Sequence, residues 1–332
     1  MPFLRVVLLV LLLVPSWTGT VRIEFFDRHK PFWAEAIRFD SGEADPQTIG
    51  RLRFERGYRL TSDDPEFGGF SSMHIDGDSF TLLSDSGEAI RFRLDRSGRV
   101  SQRQFTSLAE GPASGWQKRD RDSESMTIDP ATGQTWIGFE YGPEIWRYRR
   151  DFGRAEAHAA PPAMRNWPEN KGPEAMVRLK NGRFIVFAED DPWPKGRGRA
   201  AVSFAGDPTR SPDQGFRFSY LPPNGFDPVD VAELPDGRLI ILNRQFQLRT
   251  GFTAAITIVD TRQISPAAKV AGIEIARFKG AILRDNFEAI AVVAEADGTK
   301  IWIASDDNQN FFEQSLLLKF RLDEPAERKL RR

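Results

Sequence analysis

The stretch Glu174-Ala-Met-Val-Arg-Leu179, Asn181-Gly182, Arg183-Phe-Ile-Val-Phe-Ala-Glu189-Asp190 decides the fold. An acid opens a short apolar strand, an Asx-Gly pair turns the chain, and a second apolar strand ends in acids. Asn-Gly and Asp-Gly readily take the positive φ that a tight hairpin turn requires, so the pattern predicts a β-hairpin. Four other stretches follow the same grammar. They are Phe70–Ile75 with Ser79–Asp85 around Asp76-Gly77, and Glu124–Ile128 with Thr135–Glu140 around the turn Asp129 to Gly133. Asp230–Leu234 with Arg238–Arg244 follows around Asp236-Gly237, then Glu288–Val293 with Lys300–Asp307 around Asp297-Gly298.

The entry residues Ser72, Glu124, Glu174, Asp230 and Glu288 are separated by 52, 50, 56 and 58 residues, which leaves room for two more strands per unit. Candidates are Ala89–Asp95 and Val100–Ser107, then Ile145–Arg149 and Ala155–Ala159. Ala201–Ala205 with Phe216–Leu221, and Ala254–Asp260 with Ile273–Phe278, serve the third and fourth units. The last unit has only Leu316–Leu322, so Gly50–Leu60 is expected to supply its fourth strand from the amino-terminal side. The prediction is an all-β chain, a single β-propeller of four-stranded blades closed by an N-terminal strand. Five blades are counted, and six would need one hidden in the loops. A two-sheet sandwich is the competing arrangement.

Composition agrees. The 332 residues include 27 Gly, 22 Pro and 26 Phe, a turn-rich and strand-rich mix, and no long helical stripe stands out. With 46 Lys+Arg against 47 Asp+Glu the chain is not a global nucleic-acid binder. Cysteine is absent, which excludes disulfides, thiolate metal sites and a cysteine nucleophile. The three histidines, His29, His74 and His158, lack H-x-x-x-H spacing, and there is no G-x-S-x-G elbow for a serine hydrolase.

Residues 1–20 combine Arg5 with the apolar run Val6–Val14 and read as a signal peptide or an uncleaved signal anchor. Residues 21–48 read as leader and linker, 49–325 as the propeller, and 326–332 as a basic tail. A periplasmic or secreted monomer is expected, touching a membrane only if the amino-terminal segment stays uncleaved.

Antiparallel hairpin strands bring the start of the first and the end of the second to one sheet edge. Ser72, Glu124, Glu174, Asp230 and Glu288 should therefore converge with Asp85, Glu140, Glu189, Asp190, Asn243, Asp306 and Asp307 at one channel mouth. Converging carboxylates repel unless a cation lies among them, and a hard cation such as Ca²⁺ prefers oxygen ligands. Glu124, Glu174, Asp230, Glu288 and Asp306 are the expected metal ligands, and Glu124, Glu174 and Glu288 the catalytic acids. Among the basic residues near this edge, Arg119, Arg121, Lys171, Arg244 and Arg284, the expected binders of a small anionic substrate are Lys171, Arg244 and Arg284. Polar caps on strand ends are the plainer explanation of any single position. Trp136 and Trp302 occupy equivalent second-strand positions, so packing between blades is favoured over a sugar platform. Asp76-x-Asp78 and Asp306-Asp307-Asn308 lack the spacing of a calcium loop. The segment Pro192–Arg199 reads either as a basic anion-binding loop or as a solvated connection.

At Phe67-Gly-Gly-Phe-Ser-Ser-Met73, Leu83-Ser-Asp-Ser-Gly87, Asp122-Ser-Glu-Ser-Met126, Gly172-Pro-Glu-Ala-Met176 and Asp285-Asn-Phe-Glu-Ala-Ile290 the chain resembles the exported bacterial "esterase-like activity of phytase" family. The resemblance spans roughly residues 50–323 and implies a propeller with phosphoester or ester hydrolysis. It implies acidic slots at Glu124, Glu174 and Glu288, with departures at Ser71-Ser72 and at Asp230. The expectation is an exported, Ca²⁺-assisted phosphoesterase or esterase in which water attacks directly. The alternatives are a non-enzymatic ligand- or partner-binding propeller and a lactonase-like sugar-acid hydrolase.

Overall fold

The computed structural model describes residues 25–168, 171–249, 251–278, 285–307 and 314–323, the Asp190 side chain excepted. The leader expected at 1–20, the basic tail and Arg284 lie outside the described residues.

The chain enters as β1 (Phe32–Ala36), β2 (Thr48–Ile49) and β3 (Leu52–Ser62). Blade 1 follows as β4 (Phe70–Asp76), β5 (Ser79–Ser84), β6 (Glu88–Leu94) and β7 (Val100–Ser107). Blade 2 is β8 (Ser123–Ile128), β9 (Thr135–Phe139), β10 (Glu144–Tyr148) and β11 (Ala155–Ala159). Blade 3 is β12 (Pro173–Arg178), β13 (Phe184–Pro192), β14 (Arg199–Phe204) and β15 (Gly215–Leu221). Blade 4 comprises β16 (Asp227–Glu233), β17 (Leu239–Gln247) and β18 (Gly251–Val259); β19 (Lys269–Ala271) intervenes before its fourth strand, β20 (Ile273–Arg277). Blade 5 opens with β21 (Asn286–Glu295), β22 (Gly298–Asp306) and β23 (Ser315–Leu322).

β3 completes blade 5 by pairing antiparallel with β23, from Ser315↔Leu60 to Leu322↔Leu52. One blade built from both ends of the domain closes the ring, as the strand count requires. Two short strands carry no local signal in the sequence. β1, inside the stretch read as leader and linker, adds to the outer edge of β3, and β19 pairs in parallel with β15 of the preceding blade.

The second strands are buried on both faces because blades pack face to face. Leu239, Ile240, Ile241 and Leu242 are all 0% exposed. Five apolar clusters occupy the five blade interfaces. Trp136 of blade 2 meets Phe184 of blade 3, and Trp302 of blade 5 meets Phe80 of blade 1, each with ring centroids 5.0 Å apart. The two tryptophans thus do the packing their equivalent positions suggest. The turn at Gly77 has φ +62°, which a side-chain-bearing residue adopts only under strain.

Inner strands are also joined by polar links. Ser72 Oγ accepts from the Met126 N–H at 3.1 Å, Ser125 Oγ donates to the Pro173 carbonyl, and Thr127 Oγ1 accepts from the Arg178 N–H at 3.0 Å.

One buried acid stands apart from any expectation. Glu88 in β6 is 1% exposed, and neither carboxyl oxygen has a hydrogen-bond partner among the described residues. Burial pushes its carboxyl up from 4.5 to about 7, against the weaker pulls of the nearby Ser107 hydroxyl and Arg28. The folded state therefore holds a proton that the unfolded chain releases, so stability falls as pH rises from about 4.5 through about 7. At about 1.4 kcal/mol for each pH interval of one, this amounts to about 3 kcal/mol. In Glu88→Gln the part of the fall due to Glu88 should be lost and stability at pH 8 should rise, as urea unfolding at pH 5, 6, 7 and 8 would show. An unchanged pH profile would place the dependence elsewhere.

Candidate active site at the channel mouth

The entry positions are defined by β-bulges. In every blade the first hairpin slips register by one residue near its start, which leaves one residue of the first strand without a partner. The bulged residues are Ser71, Glu124, Glu174, Val229 and Glu288. Blades 2, 3 and 5 carry glutamate there, as expected. Blades 1 and 4 differ from the expected alignment by one residue, because Ser72 pairs regularly with Leu83 and Asp230 with Leu242. A one-residue step turns a strand side chain to the other face.

Asp230 is consequently set apart from the bulged acids. Its Oδ1 accepts from the Val231 N–H and its Oδ2 from the Ile290 N–H of blade 5, each at 2.8 Å. It is 2% exposed, and burial raises its carboxyl well above the usual range despite these bonds. Asp230 is a link between blades 4 and 5, in the same register position as Ser72 and Ser125.

The strand-end set shifts likewise in blade 4. Ser84, Phe139, Ala188, Asn243 and Ser305 all pair at equivalent points just before the bulge. The next residues form the ring: Asp85, Glu140, Glu189, Arg244 and Asp306. Asn243, expected at the mouth, is 0% exposed and bonded to Tyr220 and Thr257 in the wall. Blade 4 therefore places a cation, Arg244, where the other four blades place acids.

Arg244 binds the acids on its side of the mouth. Its Nη1 donates to Glu288 and, at 2.8 Å, to Asn286 Oδ1; its Nη2 donates to Glu189 Oε1 at 2.8 Å. Although burial works against the charge, Glu288, Glu189 and Glu174 hold the guanidinium firmly protonated. With three partners engaged, Arg244 positions acids instead of offering an open anion site. Asp306 is buried beside Asn286, whose Nδ2 donates to it at 3.5 Å. Lys171 precedes β12 by two residues and is partly exposed.

The second cation was not anticipated. Lys118 sits on a short 3₁₀ turn, Lys118–Asp120, in the connection between blades 1 and 2, and its Nζ pairs with Asp85. Asp85 is nevertheless raised, because burial outweighs Lys118. Of the basic residues expected near this edge, Arg119 lies over the Tyr141 ring, and Arg121 donates to the Pro112 carbonyl.

The remaining acids gather on the side of blades 2 and 3. Asp122, Glu124 and Glu140 each offer an oxygen, and the three atoms lie within 4.8 Å of one another. Burial, the Asp122 charge and a carboxyl contact with Asp122 push Glu140 up to about 8. Burial and the neighbouring Glu174, Asp122, Glu288 and Glu140 raise Glu124 well above the carboxylate range. Glu174, 6% exposed, is raised likewise by burial and by Glu189 and Glu140. Seven carboxylates (Asp85, Asp122, Glu124, Glu140, Glu174, Glu189 and Glu288) thus act on one another around Lys118 and Arg244. Of the expected catalytic acids, Glu124, Glu174 and Glu288 do come together. Asp122 was visible two residues ahead of Glu124, in Asp122-Ser-Glu-Ser-Met126.

Comparison with known proteins extends this reading. No curated protein matches the chain. Among solved structures it is similar to an endo-arabinase from Bacteroides thetaiotaomicron, at 10% identity over 79% of this chain and 96% of that one, TM-score 0.48. Myxococcus xanthus glutaminyl cyclase matches at 11% identity over 83% of this chain and 97% of that one, TM-score 0.47. Kuenenia stuttgartiensis hydrazine synthase matches at 12% identity and TM-score 0.39, over 72% of this chain; the chain spans 56% of that protein's length. At such similarity none of these carries an argument about chemistry. The family model described as "Phytase-like: Esterase-like activity of phytase" matches residues 65–309 and so contains all five bulged residues and every acid of the mouth. The chain belongs to the phytase-like family of β-propellers.

Proposed function

We propose that this protein is an exported hydrolase of phosphoesters or carboxylic esters, assisted by a divalent cation, Ca²⁺, at the channel mouth. The observation that carries the proposal is the excess of half-buried carboxylates over cations on the side of blades 2 and 3, where Asp122, Glu124 and Glu140 converge. An all-oxygen, anionic donor set fits a hard cation. Asp122, Glu124 and Glu140 would hold it, and when bound it would polarise a substrate oxygen and acidify a water.

The chain's own residues supply the rest. Glu174 sits one blade on, beside Glu189 and Glu140, and in its ionised form it would take the proton of an attacking water. Arg244 fixes Glu189 and Glu288 in place. Lys171 is the candidate contact for the substrate anion. Lys118, held by Asp85, offsets the negative charge of Asp122 and Glu124.

A non-enzymatic binding propeller would have its acids paired into a neutral rim. Arg244 with Glu189 and Glu288, and Lys118 with Asp85, have that character; the Asp122–Glu124–Glu140 group does not. A lactonase-like reading differs in substrate alone, and inorganic phosphate should inhibit the phosphoesterase but not the lactonase.

Hydrolysis of p-nitrophenyl phosphate and p-nitrophenyl butyrate, with Ca²⁺ and after chelation, tests the proposal. Chelation should abolish turnover, and Glu174→Ala or Glu288→Ala should be inactive with folding intact. If both variants keep full activity, the site is elsewhere.

A further inference from the structure

Large apolar side chains are exposed at few places among the described residues, and two of them are neighbours on one hairpin. Phe246 is 58% and Leu248 96% exposed, at the tip between β17 and β18. That hairpin overhangs the mouth. Its pairing continues beyond Arg244 through Gln245↔Thr253, Phe246↔Phe252 and Gln247↔Gly251. In blades 1 and 2, by contrast, the third strand begins three or four residues after Asp85 and Glu140. Three extra pairs raise the tip by about 10 Å above the ring of acids.

The adjacent blade carries a second overhang. β13 runs past Glu189 to Pro192, which pairs with Arg199, so Trp193–Gly198 caps a hairpin on the same face. The two hairpins are joined at their bases, where Arg199 donates to Asp227, the register partner of Arg244. Lys195 and Arg197 are exposed on the blade 3 tip and Arg249 on the blade 4 tip. Neither segment, 193–199 or 245–251, contains an acid. A few residues below them, the mouth is strongly acidic. Trp116, 71% exposed, lies on the same face in the connection between blades 1 and 2.

We propose that the paired tips of blades 3 and 4 dock on an anionic lipid surface, Phe246 and Leu248 entering the interface while Lys195, Arg197 and Arg249 meet the headgroups. Apolar side chains at an elevated tip, ringed by cations and free of acids, match such a surface in both hydrophobicity and charge. The charge of the tips is opposite to that of the mouth, so the surface that attracts them cannot be drawn by the site's own acids. Docking would hold the channel mouth towards the membrane and limit substrates to those that reach it there.

The absence of cysteine allows a direct test in the full chain. Leu248→Cys, labelled with an environment-sensitive nitrobenzoxadiazole fluorophore, should brighten and shift to the blue with phosphatidylglycerol-containing vesicles and stay unchanged with pure phosphatidylcholine. The same label at Ile273→Cys, exposed at the opposite end of blade 4, should not respond. Reversing Lys195, Arg197 and Arg249 to Glu should weaken the response by about a hundredfold in vesicle concentration. No change at residue 248, an equal change at residue 273, or the same change with phosphatidylcholine would overturn the proposal. Attachment through the amino-terminal segment alone would leave both labels silent and count against it.

Discussion

Glu124→Gln and Glu174→Gln should make the calcium-free protein more stable while removing the proposed hydrolysis. Burial and neighbouring carboxylates raise both groups well above the ordinary range, so each ionised form is disfavoured in the fold. A carboxyl raised in the fold contributes stability while it holds its proton, and that contribution is lost as pH rises through the folded-state value. The neutral isostere avoids the loss. The gain should therefore grow with pH, be greatest above neutrality and fade towards pH 4. At pH 8 both variants should therefore melt above wild type, and at pH 5 by a smaller margin. The proposed hydrolysis should move the other way, by about 10²- to 10⁴-fold for Glu174 as its proposed proton acceptor. Melting curves at pH 5 and pH 8, beside initial rates, check both signs. Variants less stable than wild type at pH 8 would show that these acids are structural, held by partners in the native state.

Asp230→Ala should do the reverse: lose stability and keep the cation response. The substitution strips the acceptors from two buried N–H groups, those of Val231 and Ile290. An unsatisfied buried group costs about 1–3 kcal/mol, so the loss should be about 2–6 kcal/mol, with the link between blades 4 and 5 broken. Asp230→Asn keeps one acceptor oxygen and should lose less. Urea unfolding with and without Ca²⁺ separates the roles. If Asp230→Asn retained full stability but no longer responded to Ca²⁺, Asp230 would belong among the metal ligands after all.

The sequence made the architecture legible because its turns are explicit. Asx-Gly pairs at 76–77, 181–182, 236–237 and 297–298 mark the hairpins, and the strand missing after Leu322 points to the amino-terminal side for ring closure. The convergence of acids at the mouth was legible where position follows from the acid itself, at Glu124, Glu174 and Glu288. It was misaligned in blades 1 and 4 because a sequence counts residues whereas a sheet counts pairs. The bulge sets the two counts one apart, so Ser72 and Asp230 occupy the slot after Ser71 and Val229, and Arg244 replaces Asn243 in the ring. Lys118 lies in a connection with no repeat to anchor it, and its partnership with Asp85 is a tertiary contact across 33 residues. β19 has three residues and pairs in parallel with residues fifty positions earlier, which no local pattern announces.

The central claim is that the mouth takes a divalent cation between Asp122, Glu124 and Glu140. Thermal melting of the metal-stripped protein against Ca²⁺ concentration tests it most directly. A ligand confined to the folded state adds about 2.7 kcal/mol at a hundred times its dissociation constant, well within reach of melting. A Ca²⁺-dependent rise in wild type, absent in Asp122→Asn and Glu124→Gln and kept in Asp230→Asn, is the predicted result. A wild-type curve that does not move with Ca²⁺, from protein that carries no bound metal when purified, would contradict it.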